Sequence, residues 1–280
     1  MILVTGANGM VGSYIKEVFV DEELLLTDLP SLDITDKKAV NDIIVKNKPD
    51  YVLHLAAETD VDRCEVNSEH AYKVNAQATK NLALACKESG STMIYISTGY
   101  VFNGEFMREH TEYDIPDPLN VYAKSKYQGE LELQGILDRF FIFRSDWMIG
   151  GGPGTDKKFV GKIVEQCKNR KEIQAANDIS GNPTFARDFA SGIKKVIKTG
   201  RYGLYHLVNK SACTRYDVAL EIVKDMKADV DVIPVSSDMF PLPAPRPRSS
   251  ALRNYKLELM GMDIMPNWKE SLREYLAGWK

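Results

Sequence analysis

The chain begins with Met1-Ile2-Leu3-Val4-Thr5-Gly6-Ala7-Asn8-Gly9-Met10-Val11-Gly12. A short apolar run leads directly into three glycines with the spacing GxxGxxG, and a segment with helical apolar periodicity follows. In such a strand-loop-helix unit the glycines permit a tight turn, close approach of the backbone to a pyrophosphate, and close packing of helix on strand. Ordinary turns also contain glycine, but this position at the start of a βαβ unit favours dinucleotide binding. The predicted contacts are Gly6, Asn8, Gly9, Met10, Val11 and Gly12.

The first half of the chain continues this alternation of strand and helix. Its strand candidates are apolar on both faces, as expected for a parallel sheet covered by helices, and comprise residues 1–5, 24–27, 51–55, 92–97 and 140–144. The intervening segments, such as 69–89 and 120–138, are long enough for the helical crossovers that parallel strands require. We therefore predict an α/β fold with a Rossmann-type, doubly wound parallel sheet.

The second half has a looser pattern. Glycines and a proline interrupt it at residues 150–154, and residues 241–248 are rich in proline. A chain of 280 residues is long for one compact domain and short for two large ones. We therefore predict an NAD(P)-binding domain with the catalytic residues in 1–145. Residues 146–280 are expected to form mainly a smaller substrate-binding lobe over the carboxyl ends of the strands, with some segments returning to the sheet.

Charge and composition exclude several kinds of partner. The net charge is -3, from 36 basic and 39 acidic residues, so the chain as a whole has no electrostatic attraction to nucleic acid or to an anionic membrane. The sequence contains no apolar run of bilayer length and no secretory leader. The four cysteines are widely spaced and lack a metal-ligand pattern. We predict a cytoplasmic protein that binds no nucleic acid and no membrane and has no structural zinc site; we assign no metal ligands, and the sequence alone does not define whether a divalent metal binds.

Acidic residues follow the second predicted strand, where a dinucleotide's adenosine would lie. Asp28 can accept hydrogen bonds from ribose hydroxyls there, although a solvated turn residue is the alternative. Because its charge would repel a 2'-phosphate, Asp28 favours NADH over NADPH. Asp33 and Ile34 lie in a stretch that is interpreted either as a loop reaching the adenine or as the start of the next helix.

Tyr122 and Lys126 are four residues apart on a predicted helix and therefore share one face. With 13 tyrosines and 36 basic residues this spacing also arises by chance, so it needs context. Thr98 provides it, because it ends the fourth predicted strand, next to that helix. An ammonium about 4 Å away contributes about 4 kcal/mol at an effective dielectric near 20, so Lys126 is expected to lower the Tyr122 pKa toward neutrality. Tyr122 could then protonate a carbonyl oxygen held by Thr98 while hydride reaches the carbon.

These motifs resemble those of the extended short-chain dehydrogenase/reductases. Ser97-Thr98-Gly-Tyr-Val-Phe102 and Asn120-Val-Tyr-Ala-Lys-Ser-Lys126 are similar to the dTDP-4-dehydrorhamnose reductase family in particular. The resemblance continues through Arg144-Ser-Asp-Trp147, Gly181-Asn-Pro-Thr184 and Arg246-Pro-Arg-Ser-Ser-Ala-Leu252. It implies reduction of the 4-keto group of dTDP-4-dehydro-L-rhamnose to dTDP-L-rhamnose, with NADPH or NADH as cofactor. It also implies that the catalytic residues are Thr98, Tyr122 and Lys126.

The resemblance assigns further residues to the two ligands. It implies cofactor contacts from Ala56, Ala57 and Thr59, and from the catalytic Tyr122 and Lys126. It implies contacts with the nucleotide sugar from Val61, Tyr100, Val101, Phe102, Trp147, Asn182 and Arg246. The planar fork of Arg246 would suit the diphosphate. A homodimer is compatible with the sequence, which by itself defines no oligomeric state.

Three sites depart from the family pattern. Gly99 stands where the family usually has aspartate, Ile179 where it has glutamine, and Ser145-Asp146 where it has a threonine and a small residue. The catalytic residues are unaffected, so the departures bear on the identity of the nucleotide sugar. Two alternatives remain open: a reductase or epimerase for another nucleotide sugar, and a non-catalytic, cofactor-binding regulatory subunit. The intact catalytic residues argue against the second.

Overall fold

The computed structural model describes residues 1–105 and 108–279. The strands are β1 (Ile2–Thr5), β2 (Leu24–Thr27), β3 (Tyr51–His54), β4 (Thr92–Thr98), β5 (Phe140–Ser145), β6 (Met148–Ile149), β7 (Glu172–Ala176), β8 (Ser180–Gly181), β9 (Thr184–Phe185), β10 (Gly203–His206), β11 (Cys213–Thr214) and β12 (Asp231–Val235). The α-helices are α1 (Ile15–Val18), α2 (Lys37–Asn47), α3 (Val61–Val66), α4 (Ser68–Tyr72), α5 (Ala78–Ser89), α6 (Val121–Ile136), α7 (Phe159–Asn169), α8 (Ala186–Ile197), α9 (Arg215–Met226), α10 (Tyr255–Leu259) and α11 (Trp268–Ala277). Short 3₁₀ turns cover Gly12–Tyr14, Gly99–Val101 and Ser237–Met239, and a π-helical turn covers Lys73–Gln77.

The central sheet is parallel, with the strand order β10-β5-β4-β3-β1-β2. The chain adds β2 on one side of β1 and then crosses to place β3 on the other side. This reversal leaves a crevice at the carboxyl ends of β1 and β3, which is where open α/β sheets bind ligands. The predicted Rossmann-type fold is confirmed, and each of the five predicted strands agrees with the structure to within one residue at either end.

Both faces of the sheet are buried, because successive side chains of a strand point to opposite sides. On one face, Ile2 and Val4 pack in a cluster with Phe189 of α8. On the other, Leu3 packs in a cluster with Leu82 of α5 and Leu133 of α6. The strands therefore read as continuous apolar runs without polar alternation.

The second half contributes to the sheet and also builds a separate layer. β10 pairs with β5 at the edge of the sheet, and α8 covers α1. The remaining elements include a parallel pair, β7 with β12, and the helices α7, α9 and α11, which bury Trp268 and its apolar neighbours. Among the described residues, no helix is long and apolar enough to cross a membrane.

Candidate active site

A cavity of about 1000 Å³ opens at the carboxyl edge of the sheet, beside the crevice between β1 and β3. This volume is at the upper end of the ~300–1,000 Å³ typical of ligand sites. Its walls come from the glycine loop, from the segments after β2, β3, β4 and β5, and from the amino ends of α7 and α9. Both halves of the chain therefore form it.

The glycine loop forms one wall. Its residues in the cavity are Gly6, Gly9, Met10, Val11 and Gly12. Gly6 has φ +69°, and a Cβ there would lie 2.6 Å from the backbone nitrogen of Ala56. A Cβ on Gly12 would collide with the backbone oxygen of Ala7. Only glycine therefore allows the loop to make its turn and to pack against the segment after β3, which leaves backbone groups open toward a phosphate.

Asp28 lines the cavity next to the glycine loop. Its Oδ2 accepts a hydrogen bond of 2.8 Å from the backbone N–H of Asn8, and its Oδ1 accepts one of 2.8 Å from the N–H of Leu29. Asn8 does not line the cavity wall, so the structure gives it a different place from the predicted contact. Its backbone ties the glycine loop to Asp28.

Asp33 and Ile34 also line the cavity, in a loop before α2. Asp33 accepts hydrogen bonds from the backbone and side chain of Thr35, and these bonds lower the Asp33 pKa. α2 is capped by Asp36, whose side chain accepts hydrogen bonds from two backbone N–H groups. The interpretation of Asp33 as the start of that helix is therefore wrong, and the loop interpretation stands as a prediction.

The segment after β3 brings Ala56, Ala57, Thr59 and Val61 to the cavity. Asn75 holds this segment in place. Its side chain accepts a hydrogen bond of 2.9 Å from the Glu58 N–H and donates to the Glu58 carbonyl at 3.0 Å and to the Ser125 hydroxyl at 3.0 Å. Asn75 thereby connects the cavity wall to α6. It was not predicted, because its role depends on contacts between segments far apart in sequence.

Helix α6 carries Tyr122 and Lys126 on the face that lines the cavity, and Thr98 lines it from the end of β4. Asn120 caps the helix by accepting a hydrogen bond of 2.9 Å from the Ala123 N–H. The Tyr122 ring makes an edge-to-face contact with Tyr100, at 6.4 Å between centroids. The structure thus brings the three predicted catalytic residues to one wall, with Tyr100 beside them.

Helix α6 packs closely against the sheet. Glu130 forms a buried ion pair with Arg144 of β5, at 2.6 Å. At Gly129, a Cβ would lie 2.5 Å from both the Asn75 carbonyl oxygen and the Tyr95 hydroxyl oxygen, so the helix lies very close to these groups. These contacts fix the position of Tyr122 relative to the sheet.

The pKa values of Tyr122 and Lys126 differ from those expected from the sequence. Burial raises the pKa of Tyr122, although hydrogen bonding with Thr98 opposes the rise. Burial also lowers the pKa of Lys126 to about 7, with Glu130 opposing. The expected lowering of the Tyr122 pKa by Lys126 is absent in the protein alone, because loss of hydration raises that pKa and Lys126 is not among the groups that oppose the rise. Tyr122 holds its proton at neutral pH, as a proton donor must.

Trp147 lines the cavity after β5, and two residues beside it were not predicted as contacts. The guanidinium carbon of Arg215 lies 3.7 Å from the Trp147 ring centroid. Asp146 is buried, and burial raises its pKa to about 7 even though its Oδ2 accepts hydrogen bonds from Asn182 N–H and Ser250 Oγ, each 2.9 Å long. Arg215 follows the N-cap residue Thr214 of α9, and nothing in the local sequence indicates that it lines a ligand cavity.

Two predicted substrate contacts lie in the hydrophobic core. Val101 and Phe102 are fully buried with Val208 and Leu252, and Phe102 stacks on His110 at 4.3 Å between ring centroids. They do not line the cavity. The 3₁₀ turn after β4 brings Tyr100 to the cavity and packs these two side chains in the core, so the predicted contact with the sugar has no support from their position.

Two other predicted substrate contacts, Asn182 and Arg246, lie near the cavity but do not line it. Asn182 is buried and uses its N–H to bind Asp146, while its Oδ1 accepts a hydrogen bond of 2.8 Å from the Leu252 N–H. Arg246 forms a two-pronged ion pair with Asp62, with both contacts at 3.0 Å. Neither residue lines the cavity, and protein partners occupy these polar groups. Within the described part of the chain, no cluster of His, Cys, Asp or Glu could hold a metal ion.

The doubly wound sheet, the glycine loop at its switch point and the Thr98, Tyr122 and Lys126 side chains together define an oxidoreductase of the short-chain dehydrogenase/reductase type. A family model described as RmlD substrate binding domain matches residues 1–280, and the chain belongs to this family.

Several similar proteins carry one name. The dTDP-4-dehydrorhamnose reductase of Mycobacterium tuberculosis (strain ATCC 25618 / H37Rv) is 34% identical, over 99% of this chain and 92% of the relative. Among solved structures, a dTDP-4-dehydrorhamnose reductase from Clostridium acetobutylicum has a TM-score of 0.94 at 40% identity, covering 99% of this chain and 98% of that one. The Bacillus anthracis enzyme, solved in complex with NADP, has a TM-score of 0.93 at 33% identity, with the same coverage of 99% and 98%.

Proposed function

We propose that this protein reduces the 4-keto group of dTDP-4-dehydro-L-rhamnose to dTDP-L-rhamnose with NADPH or NADH, a step of dTDP-rhamnose biosynthesis. The observation that carries the proposal is the placing of Thr98, Tyr122 and Lys126 on one wall of a cavity that also contains the glycine loop. The names of the full-length relatives support the choice of substrate.

The residues of the cavity fit a nicotinamide dinucleotide. The glycine loop lines the cavity with Gly6, Gly9 and Gly12, which carry no side chain, and Asp28 lies next to it, where the adenosine ribose is expected. When bound, the cofactor supplies the hydride. Asp28 favours NADH by its charge, whereas the Bacillus anthracis relative was solved with NADP, so both cofactors are retained in the proposal.

Side chains of the protein would orient the carbonyl group and supply the proton. Thr98 would hold the carbonyl oxygen by a hydrogen bond and thereby orient it. Tyr122, protonated at neutral pH because burial raises its pKa, would donate its proton to that oxygen as negative charge develops. Lys126, on the same helical face, would stabilise the tyrosinate that remains. The aromatic walls formed by Tyr100 and Trp147 would exclude water from the reacting groups.

We further propose that the two halves of the chain have different roles. Residues 1–145 would bind the cofactor and hold the catalytic groups, and residues 146–280 would mainly bind the nucleotide sugar. The position of Trp147 and Arg215 in the cavity supports this, while β10 and α8 return to the sheet. A cytoplasmic location, a homodimer and the absence of nucleic-acid binding belong to the same proposal.

The test is a spectrophotometric assay of NADPH and NADH oxidation with dTDP-4-dehydro-L-rhamnose. Tyr122→Phe is expected to lower kcat by about 10²- to 10⁴-fold, the usual contribution of a general acid. Tyr127→Phe is the matched control, because Tyr127 lies on the same helix but packs against the core away from the cavity. Full activity of Tyr122→Phe would remove the proposed proton donor.

The alternatives predict different outcomes in the same assay. A reductase or epimerase for another nucleotide sugar would leave this substrate unchanged and act on another member of a panel of nucleotide-linked 4-keto sugars. A regulatory subunit would bind the cofactor and act on none of them.

A further inference from the structure

The guanidinium group of Arg215 lies between two aromatic rings in the wall of the cavity. Its central carbon is 3.7 Å from the Trp147 ring centroid and 4.8 Å from that of Phe159. The cap that starts α9 fixes the residue in place, because Thr214 and Asp217 bond reciprocally across the first turn. Stacking of this kind holds the flat group in one orientation while leaving its N–H edge available.

Arg215 has donors but no acceptor. Across residues 1–105 and 108–279, no carboxylate or carbonyl oxygen makes a hydrogen bond or ion pair with its side chain. The nearby carboxylates are engaged elsewhere: Asp146 accepts from Asn182 and Ser250, and Asp217 accepts from Thr214. A guanidinium group carries five N–H donors, and those of Arg215 are not among the buried unpaired atoms of the described residues, so they are available to a ligand in the cavity.

The surroundings favour an anionic ligand. Lys158, Phe159 and Val160 at the amino end of the 11-residue helix α7 line the same cavity. That end has no acidic residue in its first turn, and just before it Asp156, which also lines the cavity, accepts a hydrogen bond of 2.8 Å from the Lys158 N–H. The next N–H groups of the helix have no side-chain cap and add partial positive charge beside Arg215.

Arg215 lines the same cavity as Tyr100 and the proton donor Tyr122. Burial and the nearby Asp146 raise the pKa of Tyr100, and the Arg215 charge opposes the rise. Tyr100 in turn contacts the proton donor Tyr122. An anionic group at Arg215 would therefore follow directly on a sugar whose keto group lies at Tyr122.

Arg246, the residue that the sequence suggested for the diphosphate, is already neutralised. Both prongs of its guanidinium group bind Asp62, and it also donates to the Ala244 carbonyl at 2.7 Å. It does not line the cavity.

We propose that Arg215 binds the diphosphate of the nucleotide-sugar substrate, with the amino end of α7 as a second contact. The proposal rests on the proposed function for its substrate class. The guanidinium group of Arg215 would bind two phosphate oxygens at once. The rings of Trp147 and Phe159 would keep it aligned before the substrate binds.

The experiment is calorimetric titration of the NADP⁺-bound enzyme with dTDP and with thymidine. Arg215→Gln is expected to raise the Kd for dTDP by about 10- to 100-fold, the usual range for a charge-assisted hydrogen bond. The Kd for thymidine, which lacks phosphate, should change by less than about twofold. Arg215→Lys should recover part of the loss, because it keeps the charge but not the fork. Arg273→Gln, an exposed arginine of α11, is the matched change of charge.

The outcomes separate this inference from the proposed function. A selective loss of dTDP affinity in Arg215→Gln supports it. An equal loss for dTDP and thymidine would indicate lost packing and overturn it, as would an unchanged Kd for dTDP or a loss confined to Arg246→Gln. If the wild type binds dTDP but reduces no sugar, the proposed function fails while the titration still decides the role of Arg215. A wild type that binds no nucleoside diphosphate overturns both.

Discussion

Replacing Asp146 with asparagine should change how the stability of the protein depends on pH. The side chain is 3% exposed, and burial raises its pKa from 3.8 to about 7. Asparagine has the same shape, and its amide oxygen can accept the hydrogen bonds that Asn182 and Ser250 give to Oδ2. The substitution therefore removes the titration while keeping the packing.

The sign follows from proton uptake on folding. The folded state binds a proton at Asp146 more tightly than the unfolded chain does, so the carboxyl contributes full stability only at low pH. That contribution is lost as the pH rises from 3.8 toward about 7. At about 1.4 kcal/mol per pH unit the whole interval amounts to about 4 kcal/mol, of which about 2 to 3 kcal/mol falls between pH 5 and pH 8.

The measurement is urea unfolding of the wild type and Asp146→Asn at about pH 5 and about pH 8. Relative to Asp146→Asn, the wild type should lose about 2 to 3 kcal/mol of unfolding free energy at the higher pH. Asp21→Asn is the control, since the exposed Asp21 has its pKa lowered by Lys194 and stays ionised at both pH values. A wild-type difference that is the same at both pH values would refute the reasoning, because it would mean that burial does not perturb the Asp146 carboxyl.

Three further substitutions test the scaffold and the cofactor site. Gly129→Ala should destabilise the protein by about 1 to 3 kcal/mol in urea unfolding, because its Cβ would meet backbone and a tyrosine hydroxyl, whereas Gly135→Ala on the same helix meets nothing within 4 Å and should be neutral or stabilising. Equal effects of the two alanines would contradict the close approach. Glu130→Gln should cost about 3 to 5 kcal/mol, since it leaves Arg144 buried without its partner, and a loss below about 1 kcal/mol would show that water reaches the pair. Asp28→Ala should raise kcat/KM for NADPH relative to NADH by about tenfold by removing a like charge near the 2'-phosphate, and an unchanged ratio in steady-state kinetics would mean that Asp28 does not face the ribose.

Local patterns were sufficient for the sheet in the first half of the chain. The five apolar runs up to residue 144 became β1 to β5, because strands buried on both faces need apolar residues at every position. The same patterns did not predict β7, β10 and β12. β12 is largely exposed, and β10 pairs with β5 across the 57 residues of intervening chain, 146–202, so neither carries a strong local signal.

The sequence by itself determined the glycine loop, the order of strands and helices in the first half of the chain, and the shared helical face of Tyr122 and Lys126, because each depends on the spacing of neighbouring residues. Only the tertiary structure decided the charges and partners. It paired Arg246 with Asp62, placed Arg215 against Trp147, and raised the Tyr122 pKa where spacing alone suggested that it would fall. These outcomes depend on burial and on contacts between distant segments, which set the loss of hydration and the distance between charges.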